Sequence, residues 1–251
     1  MKKIIYPLIG LVGFVAIWQI VVSLGFWEEN LLPGPISVVK AIGRLTAEGV
    51  LIPDIIVSLK RFVIGYFVAL VAALPLGLLL GWFSTALKIS NSVLQILRPI
   101  SPMAWFPFVV LWFGIGDAPA VAIIAIAAFF PVLFSTISAI GKIDETYLKV
   151  AQNFEMPQFQ FFYKMAIPLA FPYIMVGVHL AIGTAWIFLV AGEMVGAQSG
   201  LGYLIIDGRN NIDMEAVMAG IVVIGLIGWA IDCLMSLFEK AVYSRWGINT
   251  K

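Results

Sequence analysis

From Phe62 to Trp82 the chain carries no charged side chain. A helix rises about 1.5 Å per residue, so about 20 such residues cross the hydrocarbon of a bilayer. Inside lipid every backbone N–H and C=O must be satisfied within the structure, which leaves helices or a closed barrel. This run is apolar throughout rather than alternating, so it reads as a helix. Similar runs occupy about 5–25, 101–115, 119–140, 168–192 and 216–237. The composition agrees: 62% of the 251 residues are hydrophobic and 12% charged, against about 25% charged in soluble domains. The expectation is an all-α integral membrane protein of about six transmembrane helices.

The breaks between runs organise the chain into one membrane domain over 1–251. Its first span and a surface helix occupy 1–52, the core 53–246, and a polar interruption 144–167. The basic start Lys2-Lys3 with a long apolar run and no A-x-A site predicts an uncleaved first span rather than a signal peptide. Pro33-Gly34-Pro35 punctuates a loop, after which Ile36, Val39, Ile42 and Leu45 line one face of a short helix on the membrane surface. Lys60 and Arg61 precede the apolar part of the second span and fall at its outer interface. The third span, 101–115, is short and interrupted by Pro102 and Pro107.

Six spans put both termini on one side. Of the 15 lysines and arginines, only Lys40, Arg44, Lys60, Arg61 and Arg209 then fall on the other side. This bias predicts cytoplasmic termini.

Several function classes drop out. With one cysteine, Cys233, and one histidine, His179, there is no disulfide framework and no metal cluster. A net charge of +1 gives no field for nucleic acid. No G-x-x-x-x-G-K-[ST] phosphate loop occurs, and no carboxylate pair or Ser-His-Asp set suggests catalysis. The chain is read as a non-enzyme with no bound cofactor.

The interruption "YLKVAQNFEMPQFQFFYKMAIP" runs from Tyr147 to Pro168. Asp144 can cap the helix that begins it. Tyr147, Ala151 and Phe154 share one face. Pro157 stops that helix and suits the start of another, on which Phe159, Phe162, Tyr163 and Ala166 share a face. The result is two short helices with an elbow at 154–157. Such aromatics suit either a loop lying against its own membrane domain or a docking surface for another protein.

The stretch resembles the EAA loop of ABC importer permeases, a pattern of E-A-A, three residues, G, nine residues, then I-x-L-P. The alanines fall at Val150 and Ala151, and the ending at Met165, Ile167 and Pro168. Lys149 stands at the glutamate and Glu155 at the glycine, a position where positive φ would strain Glu. "LRPISPMAWFPFVVLWFGIGDAP", "FFPVLFSTISAI" and "LAIGTAWIFLVAGEMVGAQSGLGYLIIDGRN" are similar, in the same order, to permeases of the nitrate/sulfonate/taurine/bicarbonate group. The likeness covers about 33–246.

The resemblance implies a type I ABC importer permease fold in a bacterial inner membrane. It implies a second permease, either another copy of this chain or a relative, with two cytoplasmic ABC ATPases that hold ATP-Mg and a periplasmic or lipid-anchored solute-binding protein. Lys149, Ala151, Phe154, Glu155, Met156, Pro157, Phe159 and Phe162 would couple the chain to the ATPase. The solute would be a small oxyanion or organic sulfonate, with a heteroaromatic vitamin precursor as the alternative. A stand-alone carrier or channel is the competing class.

Pathway candidates follow from polarity at membrane depth. Glu193 ends the fifth span, as a gate or as a partner for Arg209. His179 is either an interhelical hydrogen-bonding group or a pathway donor, with Thr184 nearby. Ser101 and Trp105 lie in the proline-broken third span, where freed backbone groups can line a cavity. Arg98 reads as an anchor at the inner interface. No intramembrane Lys or Arg stands out as an anion partner, leaving helix N-termini or hydroxyls, or a neutral substrate. Replacing both Phe159 and Phe162 with Asp should abolish ATPase co-purification while leaving membrane insertion intact.

Overall fold

The computed structural model describes residues 2–26 and 31–245. Among these residues four helices are long and apolar enough to cross a membrane: α3 (Leu51–Trp82), α6 (Asp117–Gly141), the helical stretch Gln158–Gly196, and α11 (Met214–Arg245). They are preceded by α1 (Lys2–Ser23) and α2 (Pro35–Ala47). α1 supplies a shorter apolar stretch, Ile9–Ser23.

Small residues set how the long helices meet. Gly65, Ala69, Ala73, Gly77 and Gly81 repeat every four residues along one face of α3, a spacing that lets two backbones approach closely. A Cβ at Gly65 would lie 2.7 Å from Ile124 Cβ, one at Gly77 2.6 Å from Thr136 Cβ, and one at Gly81 2.8 Å from Ile140 Cβ. Partner numbers rise together, so α3 and α6 run parallel. Gly192 of α9 (Ile167–Gly196) faces Ala120, and Gly177 faces Ser135. Here partner numbers rise as the others fall, so α9 is antiparallel to α6. α11 returns along α9: Trp186 Nε1 donates to the Ile224 carbonyl at 3.1 Å, and Gly228 leaves room for the indole. α6 is the central helix, with Ile123, Ile124, Val132 and Leu133 fully buried.

Two parallel neighbours need a crossing between them. It is made by α4 (Ser84–Leu97) followed by a 3-10 turn (Pro102–Trp105) and α5 (Phe106–Phe113), the two halves bent by 84°. This corrects the expected third span. The stretch 101–115 is too short to cross alone, and the amphipathic 84–97 segment completes it. Pro99 and Pro102 cause the break, because neither has an N–H and each disfavours helix in the residue before it.

α2 also differs from its expected register. Val38, Ala41 and Leu45 are buried against Leu201 and Leu204 of α10 (Leu201–Asn210) and Ala216 and Ala219 of α11. Ile36 and Val39 stay exposed. The helix carries two apolar stripes, and the protein takes the one with the smaller side chain at its centre.

At the opposite end α7 (Glu145–Asn153) turns into α8 (Gln158–Phe161), which runs through a π turn (Phe162–Ala166) directly into α9. The fifth span was expected to begin at 168, but its helix begins at 158. Pro168 lacks an N–H, so the Lys164 carbonyl has no ordinary partner four residues on. A wider turn accommodates this loss.

Gly65→Val should cost about 1–3 kcal/mol by overpacking and lower the melting temperature of the detergent-solubilised protein. Gly43→Ala, whose added carbon meets nothing within 4 Å, should not.

Candidate functional site

The elbow is built from helix ends. Asp144 caps α7 as expected: its Oδ1 accepts from Thr146 N at 2.8 Å and from Thr146 Oγ1 at 2.7 Å. The Thr146 hydroxyl, and then its N–H, holds the Asp144 carboxyl below the usual range. The cap's contribution is therefore present above the unfolded pKa and is lost as pH falls through the lowered one. At the other end, Met156 N donates to the Ala151 carbonyl at 2.9 Å. That bond closes a Schellman-type end, whose C′ position requires a left-handed residue and usually holds glycine. Glu155 occupies it, at φ 50. The bend of the family pattern is kept, with a residue that is strained by it. Pro157 then starts α8, its carbonyl accepting from Phe161 N at 3.0 Å.

The elbow's side chains divide into two sets. Ala151, Phe161 and Ala166 are buried together, with Met156 packed against them. Phe162 is half-buried, its ring 4.8 Å from Trp82 of α3. Phe154 and Phe159 are each 78% exposed, Tyr163 69%, and Lys149 is exposed. This revises the expected faces. The π turn places Phe161 and Ala166, five apart, on one side, where a 3.6-residue period would not. Phe159 edges an open cavity of about 630 Å³ with Pro75, Leu79, Trp82 and Phe83.

At the far end of α9 lies a buried polar network. Asp54, Ser58 and Arg61 form one face of α3, at spacings of four and three. Arg61, 2% exposed, donates through Nη1 to Glu193 Oε1 at 2.8 Å and to the Ser199 carbonyl at 2.6 Å. Its Nε and Nη2 bind Asp117 at the start of α6, the Nε contact at 2.9 Å. Glu193 is wholly buried and accepts from Ser58 Oγ at 2.8 Å and Gly202 N at 2.9 Å. Gly200 N donates to Asp54 Oδ1 at 2.7 Å, and Leu201 N to Ser58 Oγ at 2.8 Å. Three N–H groups at the α10 N-terminus, which lack helical partners, are thus satisfied by α3 and α9. Gly200, at φ 100, lies against the Glu193 carboxylate where no Cβ would fit.

The partner of Glu193 is therefore Arg61, not Arg209. Arg209 lies exposed on α10 with Asn210 at 3.4 Å. Nor is Arg61 an interface charge. Sequence reading grouped it with Lys60, but the stripe Asp54–Ser58–Arg61 at helical spacing inside an apolar run was the signal for a buried face.

His179 sits between α9 and α11, Nε2 2.8 Å from Asp232 Oδ1 and Nδ1 3.1 Å from Glu239 Oε2, beside a cavity of about 590 Å³. Thr184 lines a different cavity, about 630 Å³, with Ser135 and Ser138 of α6. Arg98, expected as an interface anchor, also lines it. Trp105 borders an apolar cavity of about 360 Å³ with Val68, Ala69 and Phe129. Ser101 is exposed in the break, its carbonyl accepting from Ala104 N at 2.9 Å. The structure thus disperses the sequence candidates over one buried network, three cavities and the exposed break that holds Ser101.

Comparison with known proteins gives a consistent picture. The family described as "Binding-protein-dependent transport system inner membrane component" matches residues 39–246. The chain is 32% identical over 246 residues to a putative aliphatic sulfonates transport permease protein of Bacillus subtilis, covering 98% of this chain and 87% of that one. It is 30% identical over 243 residues to a nitrate import permease protein of Synechococcus elongatus, covering 91% and 86%. The fold is similar to that of the inward-facing MetNI methionine ABC transporter, with TM-score 0.67 at 16% identity, covering 78% of this chain and 98% of that one.

Arg61→Ala should destabilise by about 3–5 kcal/mol, since it strands a buried carboxylate. Glu193→Gln should cost less, because the amide oxygen still accepts from Gly202 N. Thermal melts of the purified variants check the order. Glu155→Gly should raise stability by up to about 1 kcal/mol by relieving the left-handed residue, read as a higher melting temperature with ATPase co-purification retained.

Proposed function

The chain belongs to the binding-protein-dependent transport system inner membrane components, a permease subunit of an ABC importer, and we propose that it forms half of a homodimeric pathway for a small oxyanion or organic sulfonate. The similar permeases named for aliphatic sulfonates, nitrate and taurine support that solute class.

The coupling part of the reading is carried by one observation. The elbow projects Phe154, Phe159 and Tyr163 into open space on a scaffold fixed from behind by Phe161 and Phe162. Exposed aromatics on a short rigid helix are suited to a groove in a partner. The partner is an ABC ATPase that binds and hydrolyses ATP-Mg, one for each permease copy. Closure of the ATPase pair moves the two elbows, and each permease follows as a rigid body. A periplasmic or lipid-anchored binding protein delivers the solute to the α2/α10 end.

Charge supports this orientation in a bacterial inner membrane with both termini cytoplasmic. Lys88, Lys142, Lys149 and Lys164 belong to the elbow end. At the other end, Arg44 pairs with Asp213 at 2.6 Å and Arg61 is buried among carboxylates, which offsets two of the five cations there, Lys40, Arg44, Lys60, Arg61 and Arg209, and strengthens the bias. The exposed apolar side chains of α1, α3, α5 and α11 suit lipid and the second copy.

Proteoliposomes holding the permease, its ATPase and its binding protein test the proposal. Uptake of taurine, ethanesulfonate or nitrate should require ATP on the elbow side and binding protein on the other. Phe159→Asp should abolish both uptake and ATPase co-purification. Uptake by the permease alone would overturn the reading.

A further inference from the structure

Arg98 lies at membrane depth without a counter-charge. Its Cζ is 4.8 Å from the ring centre of Phe134, which lies about 8 Å from the α6 midpoint by helical rise. Hydrocarbon extends about 15 Å either side of a bilayer centre, so with α6 centred in the bilayer the guanidinium is level with the acyl chains. Among the described residues no carboxylate pairs with it, whereas Arg61 has two. A charge at this depth is tolerated where it faces a water-filled space, and Arg98 lines an open cavity of about 630 Å³. The backbone breaks beside it, between Leu97 and Pro102, and non-helical backbone at this depth also requires protein or water rather than lipid.

The rest of the lining points to a ligand class. Ser135 and Ser138 of α6 and Thr184 of α9 share the cavity. Thr184 donates back to the Leu180 carbonyl at 3.2 Å. The hydroxyls of Ser135 and Ser138 make no hydrogen bond to the described residues and are free to donate. Phe134 contacts the guanidinium through its ring and uses none of its N–H donors. One side of the cavity thus offers a planar cation and two hydroxyl donors, and among the described residues no carboxylate lines it. The remaining lining is largely apolar: Ile126, Phe130 and Phe188.

We infer that this cavity is an anion subsite of the translocation pathway, in which Arg98 takes a sulfonate, nitrate or similar singly charged oxyanion and Ser135, Ser138 and Thr184 surround it. The apolar wall accommodates the organic part of a sulfonate. The inference rests on the importer reading above but can fail separately from it. It also supplies the intramembrane cation that the sequence alone did not reveal.

The test uses the permease–ATPase assembly in phosphatidylcholine nanodiscs without the binding protein, with trifluoromethanesulfonate as the probe and its 19F linewidth as the readout. Saturable broadening is expected in the wild type. Arg98→Gln should weaken it by about tenfold or more, the worth of a charge-assisted hydrogen bond. Arg98→Lys should recover part of the loss, since ammonium keeps the charge but not the fork. Thr184→Val, a milder change, should weaken it severalfold. Lys142→Gln removes a cation that instead lies 5.0 Å over Tyr173 and should change nothing. No saturable broadening in the wild type, equal binding by Arg98→Gln, or equal loss in Lys142→Gln overturns the inference. Displacement of the probe by phosphatidylglycerol but not by taurine would assign the site to a lipid phosphate and overturn it too. An assembly that binds the probe through Arg98 yet imports no oxyanion with ATP would overturn the importer reading and leave the site standing.

Discussion

Arg61 holds together four elements that the chain delivers from distant places. Its guanidinium reaches α6 through Asp117, α9 through Glu193 and the α9–α10 connection through Ser199. A buried cation is costly unless its donors are met, so these elements have a single arrangement that avoids the penalty. Glu193 shares the constraint and passes it on, through Ser58 and Gly202 N, to the start of α10. The close α3–α6 and α6–α9 contacts fix how the helices lie side by side. The polar network fixes their axial register at one end.

The opposite end is held by aromatic packing. Trp82, Phe161 and Phe162 join the elbow to the end of α3, and among the described residues no buried ion-pair network like that of Arg61 reinforces these three. The two ends therefore differ in kind. One is a directional lock with fixed partners, and the other is a packed apolar joint that can slide at lower cost. The more compliant joint lies beside the exposed aromatics.

Much of this was legible in the sequence. Uninterrupted apolar runs identified α3, α6, α9 and α11, and the elbow at 154–157 followed from Pro157 and the capping Asp144. Less was legible where two signals competed. The segment 84–97 is amphipathic, so it resembled a surface connection, and only the parallel α3–α6 contact shows that it must help to recross the membrane. The buried faces of α2 and the elbow were misassigned because α2 carries two apolar stripes and the π turn changes the period. Arg98 and Arg61 look alike in one dimension, each an arginine near the end of a run. Tertiary placement gives one two carboxylates and the other an open cavity.

The helical continuity from Gln158 to Gly196 has a mechanical consequence. At 39 residues this rod is about 58 Å long. Its first residues carry the exposed Phe159, and its last turns carry Glu193. A helix resists stretching far more than it resists tilting, so a push at one tip becomes a pivot about the crowded middle, where Gly177 presses on Ser135 of α6. The far tip then swings the other way and pulls the carboxylate against Arg61. The exposed aromatics and the buried ion pair sit on one lever, and displacing either loads the other.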